Sequence, residues 1–232
     1  MTQRDGKSGS PPLDTFGVAD FRSAADDALQ QLCDYVRASA AGQGPVIDCA
    51  PMARIYCRLD LRRWLAHGGM NGESFSAFLR EYLKLSTRLH HPSYLAHQVA
   101  TPDSPAALAD LVHGVINNPM AVYEMGPAAA TIEHAVLNWM IEKIGWVAEP
   151  VPGSPGSRPH AGGTLTHGGS LANYTGLLAA RNAAAPEAWR QGVPGDLVLL
   201  APETCHYSVS RAASMLGLGA EAVWPLPVDH RG

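Results

Sequence analysis

Two glycines and a serine, Gly168-Gly169-Ser170, lie between a β-favouring run and a helical pattern and are the first candidates for a functional site. This order predicts a strand, a tight turn and the N-terminus of a helix. The first N–H groups of a helix have no partner within it, and the helix dipole is partly positive there, so together they can hold a phosphate. Ser170 could cap the helix or add a hydroxyl donor. We therefore expect an anion site here, although many α/β domains carry such a turn for its geometry alone.

A histidine after the next predicted strand could complete such a site. The run from Asp196 to Leu200 is continuously apolar in the way that buried parallel strands are, and Ala201 to His206 leaves it as a loop. Because the carboxyl ends of parallel strands lie at one edge of a sheet, the glycine turn and His206 are expected to face one crevice. The imidazole could then stack on the flat ring of a phosphorylated cofactor. The alternative is a surface or core histidine that binds nothing.

These residues need elements to position them, and the second half of the chain predicts a parallel sheet. From Gly163 the order is strand, helix, strand, helix and strand, with Ser208 to Leu216 as the second helix and Ala222 to Val228 as the last strand. Such an order favours right-handed crossovers between parallel strands. Before it, Met120 to Met125 is short and strand-like. A long helix follows Pro127, and its predicted buried face is Ile132, Ala135, Val136, Trp139 and Met140.

The first ninety or so residues predict helices without a sheet. Apolar residues recur at helical spacing from Phe21 to Val36 and again from Phe75 to Leu85, and a further helix covers Ala106 to Ile116. We predict three regions: residues 1–15 as a disordered N-terminus rich in Gly, Ser, Pro and charge, residues 16–105 as a helical segment, and residues 106–232 as an α/β region.

Composition and charge exclude several kinds of partner and site. The 232 residues are 46% hydrophobic, and the formal net charge is −4 with no basic run, so neither a nucleic acid nor an anionic membrane is an expected partner. Four scattered cysteines fit neither a zinc site nor a disulfide framework, and we expect no metal. No signal pattern or membrane span is recognisable, so we predict a cytoplasmic protein whose partner is a small molecule or another protein chain.

Four motifs extend this interpretation. In chain order they are His91-Pro92, Asn117-Asn118-Pro119-Met120-Ala121-Val122-Tyr123-Glu124-Met125-Gly126-Pro127-Ala128, Gly168-Gly169-Ser170-Leu171-Ala172-Asn173 and His206-Tyr207-Ser208-Val209. Together they resemble the group II pyridoxal-phosphate-dependent amino-acid decarboxylases, which act on glutamate, aromatic amino acids, cysteine sulfinate and diaminobutyrate. The resemblance runs from about Phe16 to Asp229. It implies a type I PLP-dependent transferase-like fold, with a helical N-terminal dimerisation segment and then the first part of a mainly parallel sheet with flanking helices.

The resemblance also implies roles for individual residues. Gly169, Ser170 and Leu171 match the family positions that bind the phosphate of pyridoxal 5′-phosphate, and His206 matches the histidine that stacks on its ring. The family works as a homodimer with the cofactor near the subunit interface. The expected reaction converts an L-amino acid to an amine and CO₂.

Two further positions match the substrate side of the family site. They are His97 and Asn117, and a glutamine stands at the position of His97 in the glutamate enzymes. This difference argues against glutamate as the substrate and is compatible with another acidic amino acid.

The resemblance implies that the cofactor lysine and the aspartate paired with the pyridine nitrogen belong to a segment after Gly232. The lysines present are Lys7, Lys84 and Lys143, all predicted to be solvated. We therefore expect these 232 residues to be inactive alone. Two alternatives remain: a non-catalytic dimerising fragment or pseudoenzyme, and a serine hydrolase.

The hydrolase alternative depends on Ser170 as nucleophile. His167-Gly168-Gly169 resembles an oxyanion-hole turn, and the segment around Ser170 is one residue from a nucleophile elbow. A catalytic triad would also need an acid and a histidine downstream. The candidates are sparse: Asp196, His206, Asp229 and His230.

Overall fold

The computed structural model describes residues 18–95, 98–152 and 159–230. The chain divides into two compact units, Met1–Ile116 and Asn117–Gly232. The predicted disordered N-terminus, residues 1–15, lies outside the described ranges. The fold class is confirmed: a helical N-terminal part is followed by the beginning of a parallel sheet with flanking helices.

All regular elements in the described part of the N-terminal unit are helices. Its helices are α1 (Val18–Ala40), α2 (Met52–Arg58), α3 (Leu61–His67), α4 (Gly72–Leu85) and α5 (Ser104–Ile116). The three helices predicted for this unit are thus confirmed as α1, α4 and α5, and α1 packs against α4. Gln31 on α1 donates to the Ser76 hydroxyl on α4 at 2.9 Å, and Asn71 caps α4 by accepting the Ser74 N–H.

The C-terminal unit contains the parallel sheet. Its elements are α6 (Pro127–Lys143), α7 (Gly169–Ala184), α8 (Ala188–Gln191), β1 (Leu199–Pro202), α9 (Ser208–Met215) and β2 (Val223–Leu226). β1 and β2 are parallel, with Leu199 opposite Val223. The predicted strand–helix–strand order after residue 195 is therefore confirmed, although β1 begins at Leu199 rather than Asp196.

Small side chains form the core of this unit. α7 packs against α9, and the most buried apolar residues on α9 are Ala212 and Ala213, followed by Leu216 at its end. Ala201 on β1 is also buried. Alanine lets the backbones of α7 and α9 approach closely.

The strand predicted before Gly168 is not present. Residues 162–167 join no ladder, and the nearest pairing is an isolated parallel bridge between Ala148 and Ala161. A strand exists only where a neighbour supplies hydrogen bonds, and no described strand pairs with this segment. The strand-like segment at residues 120–125 is also corrected, since Tyr123–Met125 forms one turn of 3-10 helix.

The predicted buried face of α6 is wrong. Ile132 is 65% exposed and Trp139 is 59% exposed, whereas Ile141 is only 6% exposed. Apolar periodicity indicates which face of a helix can be covered, but burial also needs an element opposite that face. Among the described residues no helix is long and apolar enough to cross a membrane.

Candidate active site

The turn before α7 requires a glycine. Gly168 has φ +90° and ψ 161°, a conformation that side chains with a Cβ rarely adopt. A Cβ added at Gly168 or Gly169 would meet no atom within 4 Å, so the space over this turn is open. Backbone conformation, rather than crowding, is the reason for the glycine at 168.

The first amides of α7 are available to an anion. Within the described residues, the N–H groups of Gly169 and Ser170 have no acceptor, and no side chain caps the helix. The Leu171 N–H donates to the Gly168 carbonyl at 3.2 Å. Because α7 is 16 residues long, its dipole adds to the attraction for a negative charge. Of the three predicted phosphate-binding residues, Gly169 and Ser170 have amides free for that role, and Leu171 has its amide engaged.

The ring of His206 is held along one edge. His206 lies in the loop between β1 and α9, and its Nδ1 is 2.8 Å from the Ser208 hydroxyl and accepts the Ser208 backbone N–H at 3.2 Å. Ser208 is only 2% exposed, whereas His206 itself is exposed. The imidazole is therefore anchored at Nδ1 while part of its surface faces solvent.

Asn173 brings this histidine and the turn of α7 together. Its side-chain Nδ2 donates to the Ser208 hydroxyl oxygen at 2.8 Å. Asn173 is four residues after Gly169 on the same helix, so the two positions share a helix face. Two short hydrogen bonds thus connect Asn173, in the second turn of α7, through Ser208 to the ring of His206.

One face of the His206 ring has a neighbour. The ring of Tyr207 lies with its centroid 4.1 Å away and is tilted by 38°. The Arg211 guanidinium lies over Tyr207 at 4.6 Å and steadies it. No second aromatic ring stacks on His206 among the described residues. The arrangement can hold a phosphate at the helix end and present a flat ring nearby, which fits two groups of pyridoxal 5′-phosphate.

The predicted substrate residues are less informative. His97 lies outside the described residues. Asn117 is exposed at the start of the C-terminal unit with φ +44°, a left-handed conformation that asparagine tolerates well. No contact of Asn117 reveals a substrate role, so both assignments remain predictions.

Both described lysines lie beside other side chains of their own helices. Lys84 pairs with Glu81 at 2.6 Å, and the Lys143 ammonium lies 5.7 Å from the centre of the Trp139 ring. Lys7 lies outside the described residues. The hydrolase alternative is disfavoured because the Nδ1 of His206, a candidate triad histidine, engages Ser208 rather than Ser170. In the part of the chain that the structure describes, no group of His, Cys, Asp and Glu side chains could hold a metal ion.

Two residues of this site, Asn173 and Ser208, have no role predicted from the sequence, although both lie within the motifs. The spacing His206-x-Ser208 was the available signal, because a serine two residues after a histidine at a helix start can bond to its ring. The contribution of Asn173 from another helix carried no signal in local spacing.

Comparison with known proteins supports the same chemistry. A family model described as the pyridoxal-dependent decarboxylase conserved domain matches residues 79–232. The acidic amino acid decarboxylase of Mus musculus is 30% identical over 189 residues, which cover 81% of this chain and 32% of that protein. The L-2,4-diaminobutyrate decarboxylase of Acinetobacter baumannii is 25% identical over 94% of this chain and 42% of that protein.

Solved structures show the same fold. The crystal structure of mouse CSAD superposes with a TM-score of 0.79 at 22% identity, over 93% of this chain and 43% of that one. The glutamate decarboxylase domain of a Vibrio parahaemolyticus protein gives a TM-score of 0.78 at 20% identity, over 97% of this chain and 47% of that one. The chain thus spans less than half the length of these relatives.

Proposed function

Because this chain belongs to the pyridoxal-dependent decarboxylase family, we propose that it forms the phosphate-binding and ring-stacking part of an L-amino-acid decarboxylase. Pyridoxal 5′-phosphate is the cofactor of this family. The observation that carries the proposal is the pair of hydrogen bonds that joins Asn173 of α7, through Ser208, to the ring of His206. It ties the ring to the same helix whose first amides form the anion site, and an anion site and a flat ring are the two contacts that a phosphorylated pyridine needs.

In the proposed mechanism the residues of this chain bind and orient. When bound, the cofactor supplies an electron sink for the electrons released as CO₂ leaves. The amides of Gly169 and Ser170, with the Ser170 hydroxyl, hold the phosphate. His206 stacks on the pyridine ring and limits its tilt. Orientation of this kind lowers the barrier because the reacting bond is fixed relative to the electron sink before the reaction begins.

We propose an amino acid as substrate, with His97 and Asn117 on the substrate side. One relative is named for acidic amino acids and another for L-2,4-diaminobutyrate, so the class of substrate is an amino acid with a polar side chain. The histidine at position 97 favours an acidic substrate other than glutamate. An imidazole and a glutamine amide differ in length, so each would contact a substrate carboxylate at a different position.

We further propose that the protein works as a homodimer in the cytoplasm. Large apolar side chains on α3 and α4 support the dimer, since Leu65 is 80% exposed and Tyr82 is 52% exposed, and a partner would cover them. We assign residues 16–105 to the dimerisation segment and residues 106–232 to the cofactor-binding region. The four cysteines, all free, support a reducing compartment.

Titration with pyridoxal 5′-phosphate, followed by absorbance and fluorescence, tests the proposed site. Ser170→Glu places a negative charge where the phosphate would lie, so we expect affinity to fall more than tenfold, while a carboxylate at a helix N-terminus leaves the fold intact. His206→Ala should weaken binding through the lost ring contact, again with little change in thermal stability.

The matched controls for this titration lie away from the site. Ser214→Glu on α9 and His160→Ala in a loop change the same residue types at exposed positions. Both should bind the cofactor as the parent chain does. Equal affinities for the parent, Ser170→Glu and His206→Ala would contradict the proposal.

A further inference from the structure

We propose that Asn173 and Ser208 are positioning residues that hold His206 as one neutral tautomer, with the proton on Nε2, and fix the plane of its ring. The inference rests on the proposed function for the role of the ring. It adds to that function two residues and the tautomer of the ring.

The donors and acceptors around Nδ1 allow one arrangement. The backbone N–H of Ser208 can only donate, and its acceptor at 3.2 Å is Nδ1. An acceptor nitrogen has no proton of its own, so the single proton of the neutral imidazole is on Nε2. The Ser208 hydroxyl, 2.8 Å from the same nitrogen, then donates to it as well.

Asn173 sets the direction of the hydrogen bond between Ser208 and His206. Its Nδ2 donates to the Ser208 oxygen at 2.8 Å, so that oxygen accepts from the amide and its own proton is directed to Nδ1. The amide, the hydroxyl and the backbone N–H thus all donate in the direction of the imidazole. Without the amide, the hydroxyl could rotate and accept a proton from Nδ1 instead.

Burial makes the arrangement persistent. Ser208 is 2% exposed, so water has little access to replace either of its hydrogen bonds. The anchors come from two helices, Asn173 from α7 and Ser208 from α9, and these helices pack against each other. The ring orientation is therefore tied to the helix whose first amides form the anion site.

The consequence is that the orientation and tautomer of the His206 ring are fixed before any ligand binds. The free edge carries Nε2–H, a donor, and the free face belongs to a neutral imidazole. A side chain fixed by such supporting contacts binds with a smaller loss of conformational freedom. Loss of the Ser208 hydroxyl should weaken cofactor binding by about fivefold, in line with one net hydrogen bond.

Nitrogen-15 NMR of the imidazole in the cofactor-free 232-residue chain tests the tautomer directly. Under conditions where the imidazole is neutral, we expect His206 to show a pyridine-type Nδ1 and a pyrrole-type Nε2. Ser208→Ala keeps the backbone N–H donor to Nδ1 but loses the hydroxyl donor, so part of the population should shift to the Nδ1–H tautomer. Ser208→Thr, which restores the hydroxyl, should return the parent pattern. Ser214→Ala, a serine on the same helix that bonds to the Ser210 carbonyl, should leave the spectrum unchanged.

Asn173→Asp provides a second variant with almost the same shape. A carboxylate accepts the Ser208 proton, so the hydroxyl oxygen faces Nδ1 as an acceptor and the population should shift toward the Nδ1–H form. This variant keeps the inference testable if Ser208→Ala, at a buried position, fails to fold.

The outcomes separate the inference from the proposed function. A proton on Nδ1 in the parent chain, or a tautomer that neither Asn173→Asp nor Ser208→Ala alters, overturns the inference whatever the cofactor does. The expected tautomers together with unchanged cofactor affinity in Ser208→Ala would overturn the positioning role. Absence of cofactor binding in the parent chain would instead contradict the proposed function.

Discussion

The two units of the chain are held together by different means. In the described part of the C-terminal unit, buried apolar side chains stand on several elements: Ile141, Ala185, Ala188, Ala201, Ala212, Ala213 and Leu216. In the described part of the N-terminal unit, Leu59 is the one buried apolar side chain. There, polar contacts join the elements, such as Arg88 to Ser39 at 2.9 Å and Arg58 to Glu81 at 3.0 Å.

The difference separates a site held in place from surfaces that still lack a partner. Close packing of α7 on α9 fixes the turn at Gly168 and the loop at His206, so their geometry is set within one unit. The helices of the N-terminal unit have apolar faces of similar periodicity, but these are largely exposed. The free energy of unfolding should therefore respond to core substitutions in one unit and to salt and pH in the other.

The largest expected effect distinguishes a buried leucine from an exposed one. Leu216→Ala removes a side chain that is 3% exposed and should reduce the free energy of unfolding by about 2–4 kcal/mol. Leu108→Ala on α5, where the leucine is 56% exposed, should cost less than about 1 kcal/mol.

Urea denaturation monitored by circular dichroism measures both leucine variants. Equal losses of unfolding free energy would show that α5 is covered in solution. The difference in burial between the two units would then hold only for an isolated chain. Measurement at several protein concentrations would identify a second copy as the cover, because only then would the effect of Leu108→Ala depend on concentration.

Two adjacent glycines provide a smaller effect at the site itself. Gly168→Ala forces a Cβ into a left-handed conformation and should destabilise the chain by about 1–3 kcal/mol. Gly169→Ala, in helical conformation with open space around the added carbon, should be neutral or stabilising by up to about 1 kcal/mol. Thermal denaturation of the two variants checks the difference, and equal melting temperatures would mean that Gly168 does not adopt this turn in solution.

The smallest expected effect concerns pH in the N-terminal unit. Hydrogen bonds from Lys84 and then Arg58 hold the pKa of Glu81 below its ordinary value of 4.5. Since the folded-state pKa is the lower one, this contribution is present above pH 4.5 and is lost as the pH falls through the folded-state value. Its size should be at most about 1 kcal/mol, because the side chain is 34% exposed.

Glu81→Gln should therefore flatten the acid limb of the stability curve below about pH 5. Denaturant midpoints at several pH values measure this limb. The control is Glu142→Gln, since the described residues offer Glu142 no ion pair. An unchanged acid limb in Glu81→Gln would show that the ion pairs contribute nothing in solution.

Local patterns predicted much of this fold because their causes are local. Apolar spacing fixed the existence of α1, α4 and α7, and the glycine pair marked where α7 begins, since only glycine readily adopts the backbone angles at position 168. The apolar run before Pro202 and the helix at Ser208 predicted the parallel pair β1 and β2. The resemblance supplied the family, because four ordered motifs are far more specific than one turn.

Patterns failed where a second element decides the outcome. The face of α6 through Ile132 and Trp139 has the periodicity of a core helix, but burial depends on what lies opposite it. The segment before Gly168 has the composition of a strand, but a strand also needs a hydrogen-bonded neighbour. Both errors come from properties that no single segment possesses.

By itself the sequence determined the residue types at the site and the turn that presents the amides of Gly169 and Ser170. The tertiary structure alone decided that Asn173 reaches Ser208, and that Ser208 in turn holds the ring of His206. The physical reason is that a side-chain hydrogen bond forms only within about 3 Å, and the packing of α7 on α9 brings residues 35 positions apart in the chain to that distance.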